Sequence, residues 1–255
     1  MTSLDTGSAA DPATDHTDEL ARAQRHTVRT LVVSQAIGGV GLSSAIAVAA
    51  LLAKDVTGSD SLSGLAQTAQ VLGAAVGAAV LAGYMAHHGR RPGLSIGYLV
   101  GALGAALCIV AGTVRSFPVL LVGAVLLGAV TASNQQTRYA ATDLAVPARR
   151  GRDLSTVVWS TTIGSVLGPN LTGPGGAVAG WLHVPTRTGP FVISVVTLVA
   201  TAVVVAVRLR PDPLLLAREA RLRDPAGDGA VEKATDLRTA WRVVRHTPLV
   251  LAAAL

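Results

Sequence analysis

Few residues in this sequence are of types that could make or break bonds, and their spacing does not assemble a reaction centre. His87 and His88 are adjacent, so on a helix their side chains point in different directions, and no cysteine or acidic residue accompanies them. A loop position is therefore favoured over a metal site. No nucleophile with a neighbouring base can be assembled from the apolar segments. The sequence predicts a protein that is not an enzyme and uses no metal or other cofactor.

A second group of polar residues lies inside long apolar stretches. Polar side chains at membrane depth are costly unless they face a protein interior or a water-filled cavity. Asn134 and Arg138 are four residues apart and Gln67 and Gln70 are three apart, so each pair shares a helix face. For any single residue, a hydrogen bond between helices is favoured over a ligand contact. Together they predict a polar interior, with candidate lining residues Gln35, Gln67, Gln70, Asn134, Arg138, Trp159 and Asn170.

Carboxylates are scarce in the apolar part of the sequence. Between residues 62 and 207 they are Asp143 and Asp153, both close to the predicted loop that follows the fourth apolar run. A proton relay across a membrane normally uses buried Asp, Glu or His. The sequence therefore does not predict proton coupling in the usual way through this part of the chain, and the driving ion stays open.

The elements that must position these residues are apolar runs long enough to cross a bilayer. Half of the 255 residues are hydrophobic and 14% are charged, whereas soluble domains carry about 25% charged residues. One helical crossing needs about 20 apolar residues, because about 30 Å of hydrocarbon is traversed at 1.5 Å per residue. The predicted fold class is all-α, a polytopic membrane protein with a six-helix bundle, and the predicted spans are 29–53, 62–86, 93–113, 117–137, 154–182 and 189–207.

Glycines recur at four-residue spacing within these runs. Such pairs lie on one helix face and let two helix backbones approach closely, which supplies packing energy where lipid gives no hydrophobic drive. The predicted contact pairs are Gly73 with Gly77, Gly97 with Gly101, and Gly164 with Gly168.

The basic residues between the runs predict the orientation. If the N-terminus is cytoplasmic, the outer loops hold Lys54, Arg115 and Arg187, and the inner segments hold the other 18 of 21 Lys and Arg residues. The net charge of +6 is therefore attributed to topology and not to a nucleic-acid partner, since aromatic residues are only 3% of the chain. The predicted domains are a disordered cytoplasmic tail at 1–26, the bundle at 27–208, a basic cytoplasmic linker at 209–246, and at 247–255 the start of a seventh helix that the sequence does not complete.

The segment from residue 83 to residue 92, GYMAHHGRRP, resembles the signature inner loop of the major facilitator superfamily of transporters. Gly83, Gly89, Arg90 and Arg91 match with a one-residue deletion, and His87 takes the place of the acidic residue of the family pattern. The resemblance implies a charge network that latches two halves together on the cytoplasmic side, with the arginines meeting carboxylates or helix ends of the second half. The alternative is that they only satisfy the cytoplasmic charge bias.

Two further segments resemble the same family. Residues 164–173, GSVLGPNLTG, are similar to the fifth-helix motif of drug-exporting members, with matches at Gly164, Gly168, Pro169 and Gly173. A proline inside a helix removes a backbone hydrogen bond and produces a kink. The loop after the fourth run looks like the family's inner loop, and the charge network implied there consists of Asp143, Arg149, Arg150 and Arg152. The arginine common in the fourth helix of exporters is replaced, its expected position being Ala124.

The resemblance implies half of a twelve-helix transporter that works by alternating access. The expected activity is secondary transport, in the efflux direction, of a small and partly hydrophobic molecule across the bacterial plasma (inner) membrane. The expected partners are the lipid bilayer, the small-molecule substrate and a second, C-terminal six-helix half, without which the 255 residues are not expected to transport. The alternative is a non-transporting receptor or scaffold that retains the bundle.

Overall fold

The structure of the chain is a computed structural model that describes residues 12–181 and 184–223. The described residues form helices and no strand. The predictions for the seventh helix and for residues 224–246 of the linker lie outside the described part. The helices are α1 (Pro12–Thr57), α2 (Asp60–His88), α3 (Arg90–Val114), α4 (Phe117–Ala140), α5 (Arg150–Asn170), α6 (Thr172–Trp181), α7 (Gly189–Arg208) and α8 (Pro213–Arg223), with a short 3₁₀ turn at Thr186–Thr188.

The predicted apolar runs are confirmed as helices, and the all-α fold class is confirmed. Five helical segments of the described part are long and apolar enough to cross a membrane, with mean hydropathies from 1.6 to 2.6. They contain α1, α2, α3, α4 and α7.

Helix α1 begins earlier than the sequence predicts. It starts at Pro12, inside the segment 1–26 that is predicted to be a disordered tail. Pro12 can occupy a first helical position because its missing N–H group would be unpaired there in any case. From Glu19 onward the sequence is rich in Ala, Leu, Arg and Gln, which are good helix formers. Local propensity therefore extends the helix beyond its apolar part.

The fifth predicted span, 154–182, is built from two helices. Helix α5 ends at Asn170 and α6 begins at Thr172, so the helix is interrupted at Leu171, two residues after Pro169. The Leu171 N–H donates to the Gly168 carbonyl oxygen at 3.1 Å, a tighter turn than an α-helix makes. With few large apolar residues and this break, α5 falls outside the set recognised by length and hydropathy.

Glycines of the three predicted pairs lie at helix contacts. A methyl group on Gly73 would collide with the Val125 carbonyl of α4, and one on Gly101 would collide with the Val130 side chain of the same helix. A methyl group on Gly164 would lie 2.5 Å from the backbone of Gly39 in α1. Close contacts at these glycines thus join α4 to both α2 and α3, and α5 to α1, as the spacing predicts.

The helices alternate in direction, so the bundle has two ends with different contents. One end holds the start of α1, the α2–α3 and α4–α5 connections and the end of α7; it is called the basic end below. His26 of α1 and Arg208 of α7 meet there, with the imidazole Nε2 2.7 Å from the Arg208 carbonyl oxygen. The other end, called the far end, holds the connections at 58–59 and 115–116 and residues 184–188 before α7.

The described residues up to Ala217 form one compact unit, and those from Arg218 onward belong to a second. Of the second unit the structure describes the last residues of α8, up to Arg223. The core of the first unit contains the fully buried side chains of Leu31, Met85, Leu94, Tyr98, Val157, Phe191 and Leu198.

Candidate functional site

A buried polar cluster joins α3 to α4 in the middle of apolar helices. The Tyr98 hydroxyl donates a hydrogen bond of 3.0 Å to Asn134 Oδ1, and it lies 3.3 Å from the Thr137 hydroxyl. Tyr98 and Thr137 are fully buried. Tyr98 also packs against Gly38 of α1, where a methyl group would lie 3.1 Å from the ring. The side-chain oxygen of the predicted lining residue Asn134 thus accepts a hydrogen bond between α3 and α4.

Gln35 of α1 is fully buried, and only one of its two polar side-chain atoms has a hydrogen-bond partner among the described residues. Its Nε2 donates to Thr161 Oγ1 of α5 at 3.3 Å, whereas Oε1 has no hydrogen-bond partner within the described residues. An unpaired buried amide oxygen costs about 1–3 kcal/mol, so such groups are rare and usually mark a missing ligand, water or functional strain. Gln35 is therefore the predicted lining residue with unused capacity to bind a polar group.

Arg138 also has an unused donor. It is half-buried, and its Nε is buried without a partner among the described residues. It lies one helical turn from Asn134 on α4, at the side of the basic end. A guanidinium is always charged, so it favours an anionic or strongly dipolar group at this place.

Three of the other predicted lining residues, Gln67, Trp159 and Asn170, are exposed on the surface of this chain. Gln70 is buried but Gln67 is exposed, although the two are three residues apart. Trp159 is 72% exposed and borders a shallow groove of about 430 Å³ between α1 and α5. Asn170 is exposed, and its Nδ2 donates to the Val166 carbonyl of its own helix. Gln67, Trp159 and Asn170 therefore do not face the interior of this bundle.

The basic end contains a bidentate ion pair. Arg90 Nε donates to Asp143 Oδ2 at 2.8 Å, and Arg90 Nη2 donates to Asp143 Oδ1 at 3.2 Å. Arg90 Nη1 donates to Gln136 Oε1 at 2.8 Å. The side chains of Arg90 and Asp143 are 14% and 13% exposed. The parallel pairing fits the planar fork of a guanidinium and ties the α2–α3 connection to the end of α4.

Arg91 has different partners, and one of them was not predicted. Its Nε donates to the Ala206 carbonyl near the end of α7, and its backbone N–H donates to Asp212 Oδ2, both at 2.7 Å. Asp212 also accepts the Leu214 N–H at 3.0 Å, so it caps α8 as well as the start of α3. Both arginines of the loop find partners within this chain, whereas the sequence analysis expected partners in a second half.

Gly89 makes room for this arrangement. It separates α2 from α3 with a φ of +93°, a backbone conformation that suits glycine. A methyl group on Gly89 would lie 2.5 Å from Asp212 Oδ2. By contrast, Gly83 and Gly173 have no other group within 4 Å of where a side chain would begin, and Gly168 packs against Ser43 of α1.

The remaining members of the predicted loop network do not join Asp143. Arg149 and Arg152 are exposed, and Arg150 Nε donates to the Ala145 carbonyl at 3.2 Å. Asp153 instead accepts a 2.6 Å hydrogen bond from Gln24 Nε2 of α1, which also donates to the Ala141 carbonyl. Gln24, which the sequence analysis did not select, thus connects α1 to the α4–α5 connection.

A helical bundle with membrane-length apolar helices and polar groups buried between them defines a polytopic membrane protein. The family model of the Major Facilitator Superfamily matches residues 31–255. The chain therefore belongs to the major facilitator superfamily, a family of transporters and not of enzymes.

Curated relatives carry related names. The chain is 39% identical over 192 residues to the MFS-type transporter YddS of Bacillus subtilis, covering 75% of this chain and 44% of that protein. It is 37% identical over 207 residues to the MFS-type transporter YdeG of the same organism, covering 80% and 48%. The riboflavin transporter RfnT of Brucella anthropi is 27% identical over 151 residues, covering 59% and 38%. The chain spans about half the length of the curated relatives it matches or less. No solved structure gave a significant match.

Proposed function

We propose that this chain forms one half of a secondary active transporter that exports a small, partly hydrophobic molecule across the bacterial plasma membrane. The observation that carries the proposal is the buried Oε1 of Gln35, which has no hydrogen-bond partner among the described residues and lies in the middle of a membrane-length helix. A polar atom kept at this depth without a partner is expensive, and such groups mark substrate or ion pathways. In this family of folds the substrate binds near mid-membrane at the interface between two halves.

The direction and orientation rest on the distribution of basic residues and on one sequence motif. The distribution of Lys and Arg favours a cytoplasmic basic end, with the N-terminus inside. The resemblance of residues 164–173 to the fifth-helix motif of drug exporters favours efflux. Between residues 62 and 207 the carboxylates are Asp143 and Asp153, both near the basic end. A coupling carboxylate is therefore expected in a second half, unless the protein couples differently.

The test is a flux measurement in a strain that lacks the gene encoding this chain. Complementation with the intact gene is expected to lower the cellular accumulation of its cargo, with amphipathic drugs and riboflavin as the first probes, riboflavin because of the name of the Brucella relative. Gln35→Leu is expected to abolish this effect at an unchanged protein level. Gln67→Leu, at an exposed position of α2, is the matched control and is expected to keep it.

Two results would count against the proposal. Normal flux with Gln35→Leu would show that Gln35 is not part of the substrate site. The absence of flux for any probe, together with ligand binding by the purified protein, would favour the receptor alternative. Increased accumulation on complementation would reverse the direction.

A further inference from the structure

A second cavity lies at the basic end, on the side of the bundle away from α5. It measures about 690 Å³ and is bordered by α3, the end of α7 and the start of α8. Its polar lining includes His88, Arg91 and Arg210, and its apolar lining includes Ile96 and Leu215. The function proposed above does not use this cavity.

The two arginines of this cavity have side-chain N–H groups that make no hydrogen bond among the described residues. Arg91 uses Nε on the Ala206 carbonyl, and within the described residues its two terminal nitrogens have no hydrogen-bond partner. The side chain of Arg210 makes no hydrogen bond or ion pair in that part of the chain, and the residue is exposed. Asp212 borders the same cavity, but its oxygens accept backbone N–H groups of α3 and α8 and form no ion pair with either arginine. The cavity therefore offers two guanidinium groups to an anion.

An apolar wall continues from this cavity along the bundle. On α3, Ile96, Leu99 and Leu103 follow one another on one face and are 40–56% exposed. On α7, Val203 and Val199 continue the face of Ala206 in the same direction, because the two helices are packed together and run antiparallel. The α3 face reaches Val110, fourteen residues from Ile96 or about 20 Å at 1.5 Å per residue, which is enough to accompany an acyl chain.

We propose that this cavity binds an anionic phospholipid, with the phosphate between Arg91 and Arg210 and an acyl chain along the α3–α7 face. The observations that favour this occupant are the charge of the cavity and its direct continuation into an exposed apolar surface. A basic pocket between transmembrane helices at a membrane surface suits an anionic headgroup. Arginine suits it further, because its fork donates to two phosphate oxygens at once.

The experiment uses the purified full chain and follows lipid retention by native mass spectrometry. The probes are phosphatidylglycerol and phosphatidylcholine with matched acyl chains. Phosphatidylglycerol is expected to be retained in preference. Arg210→Gln is expected to weaken its retention about fivefold, as one arginine near a membrane surface is worth about 1 kcal/mol. Arg91→Gln is expected to do the same or more. Arg152→Gln removes an exposed arginine of the α4–α5 side and is expected to change nothing.

Several outcomes would overturn the proposal. Equal retention of the two lipids, or unchanged retention with Arg210→Gln, would do so even if Arg91→Gln failed to fold. Displacement of phosphatidylglycerol by millimolar glycerol 3-phosphate would show a site for soluble phosphates. A dimer that persists after lipid removal and covers this face would show a protein interface instead. None of these results depends on Gln35 or on flux.

Discussion

The two ends of the bundle hold their charges in different ways. At the basic end, Arg90 and Asp143 form a bidentate pair that is about one-eighth exposed, with Gln136 as a third partner. At the far end, Arg187 pairs with Asp55 through Nη1, and the two side chains are 50% and 40% exposed. Partly desolvated pairs with extra hydrogen bonds resist separation, whereas exposed pairs are screened and contribute little. The side-chain contacts that hold the helices in place are therefore concentrated at the basic end, where the α2–α3, α4–α5 and α7–α8 connections meet.

The largest effect is expected from removing the carboxylate of the basic-end pair. Asp143→Ala leaves the Arg90 guanidinium without its partner in a site that is mostly shielded from solvent. The expected loss is about 2–3 kcal/mol of unfolding free energy, below the 3–5 kcal/mol typical of fully buried pairs. Unfolding of the purified chain in mixed micelles measures it. Adding Arg90→Leu is expected to recover part of the loss, and a double variant worse than the sum of the single ones would contradict this account.

A close helix contact in the interior, between the two ends, gives an effect of known size for comparison. A methyl group on Gly128 of α4 would collide with backbone atoms of Gly73 and Ala74 in α2, which can move away only with their helix. Gly128→Ala is expected to cost about 1–3 kcal/mol through overpacking. Gly83→Ala is the matched control, because that position has open space and gains helix propensity. Equal melting temperatures of the two variants would refute the close contact of α2 with α4.

A smaller effect is expected at Asp212, which serves the basic end as a cap. Asp212→Ala removes acceptors from the Arg91 and Leu214 N–H groups. Loss of a cap costs about 0.5–2 kcal/mol, and here two helix starts share one residue. The Arg91 and Leu214 N–H groups use different oxygens of Asp212, and Asp212→Asn keeps one of them. It is therefore expected to lose about half as much unfolding free energy as Asp212→Ala in the same assay. If the asparagine variant were as unstable as the alanine variant, capping would not be the role of this residue.

The smallest effect is expected at the far end. Asp55→Asn breaks the exposed pair with Arg187 and is expected to change the unfolding free energy by at most about 1 kcal/mol, since exposed pairs are screened. The residual effect is expected to vanish at high salt. A loss as large as that of Asp143→Ala would mean that the two ends are equally fixed and would remove the basis of the comparison.

The sequence predicts the helices better than it predicts their partners. Apolar length and glycine spacing locate the spans and their close contacts, because both are local patterns. The pairing of Arg90 with Asp143 joins residues 53 positions apart, and no spacing rule predicts it. Trp159 and Gln67 are exposed, although the sequence predicts them to line a polar interior. Polarity alone does not tell which face of a helix turns inward. The signal for Asp212 was present, as Asp-Pro is a typical start of a helix, but only the fold brings it beside Arg91.

The contact between His26 and Arg208 has a consequence for counting the crossings. A chain that enters and leaves a bundle at the same end has traversed it an even number of times. Counting helices by length and hydropathy gives five, an odd number, which would put the start of α1 and the end of α7 on opposite faces of the membrane. Helices α5 and α6 together form one further traverse of the bundle, which makes the number of traverses even. The described start of α1 and the end of α7 therefore lie at the same end of the bundle.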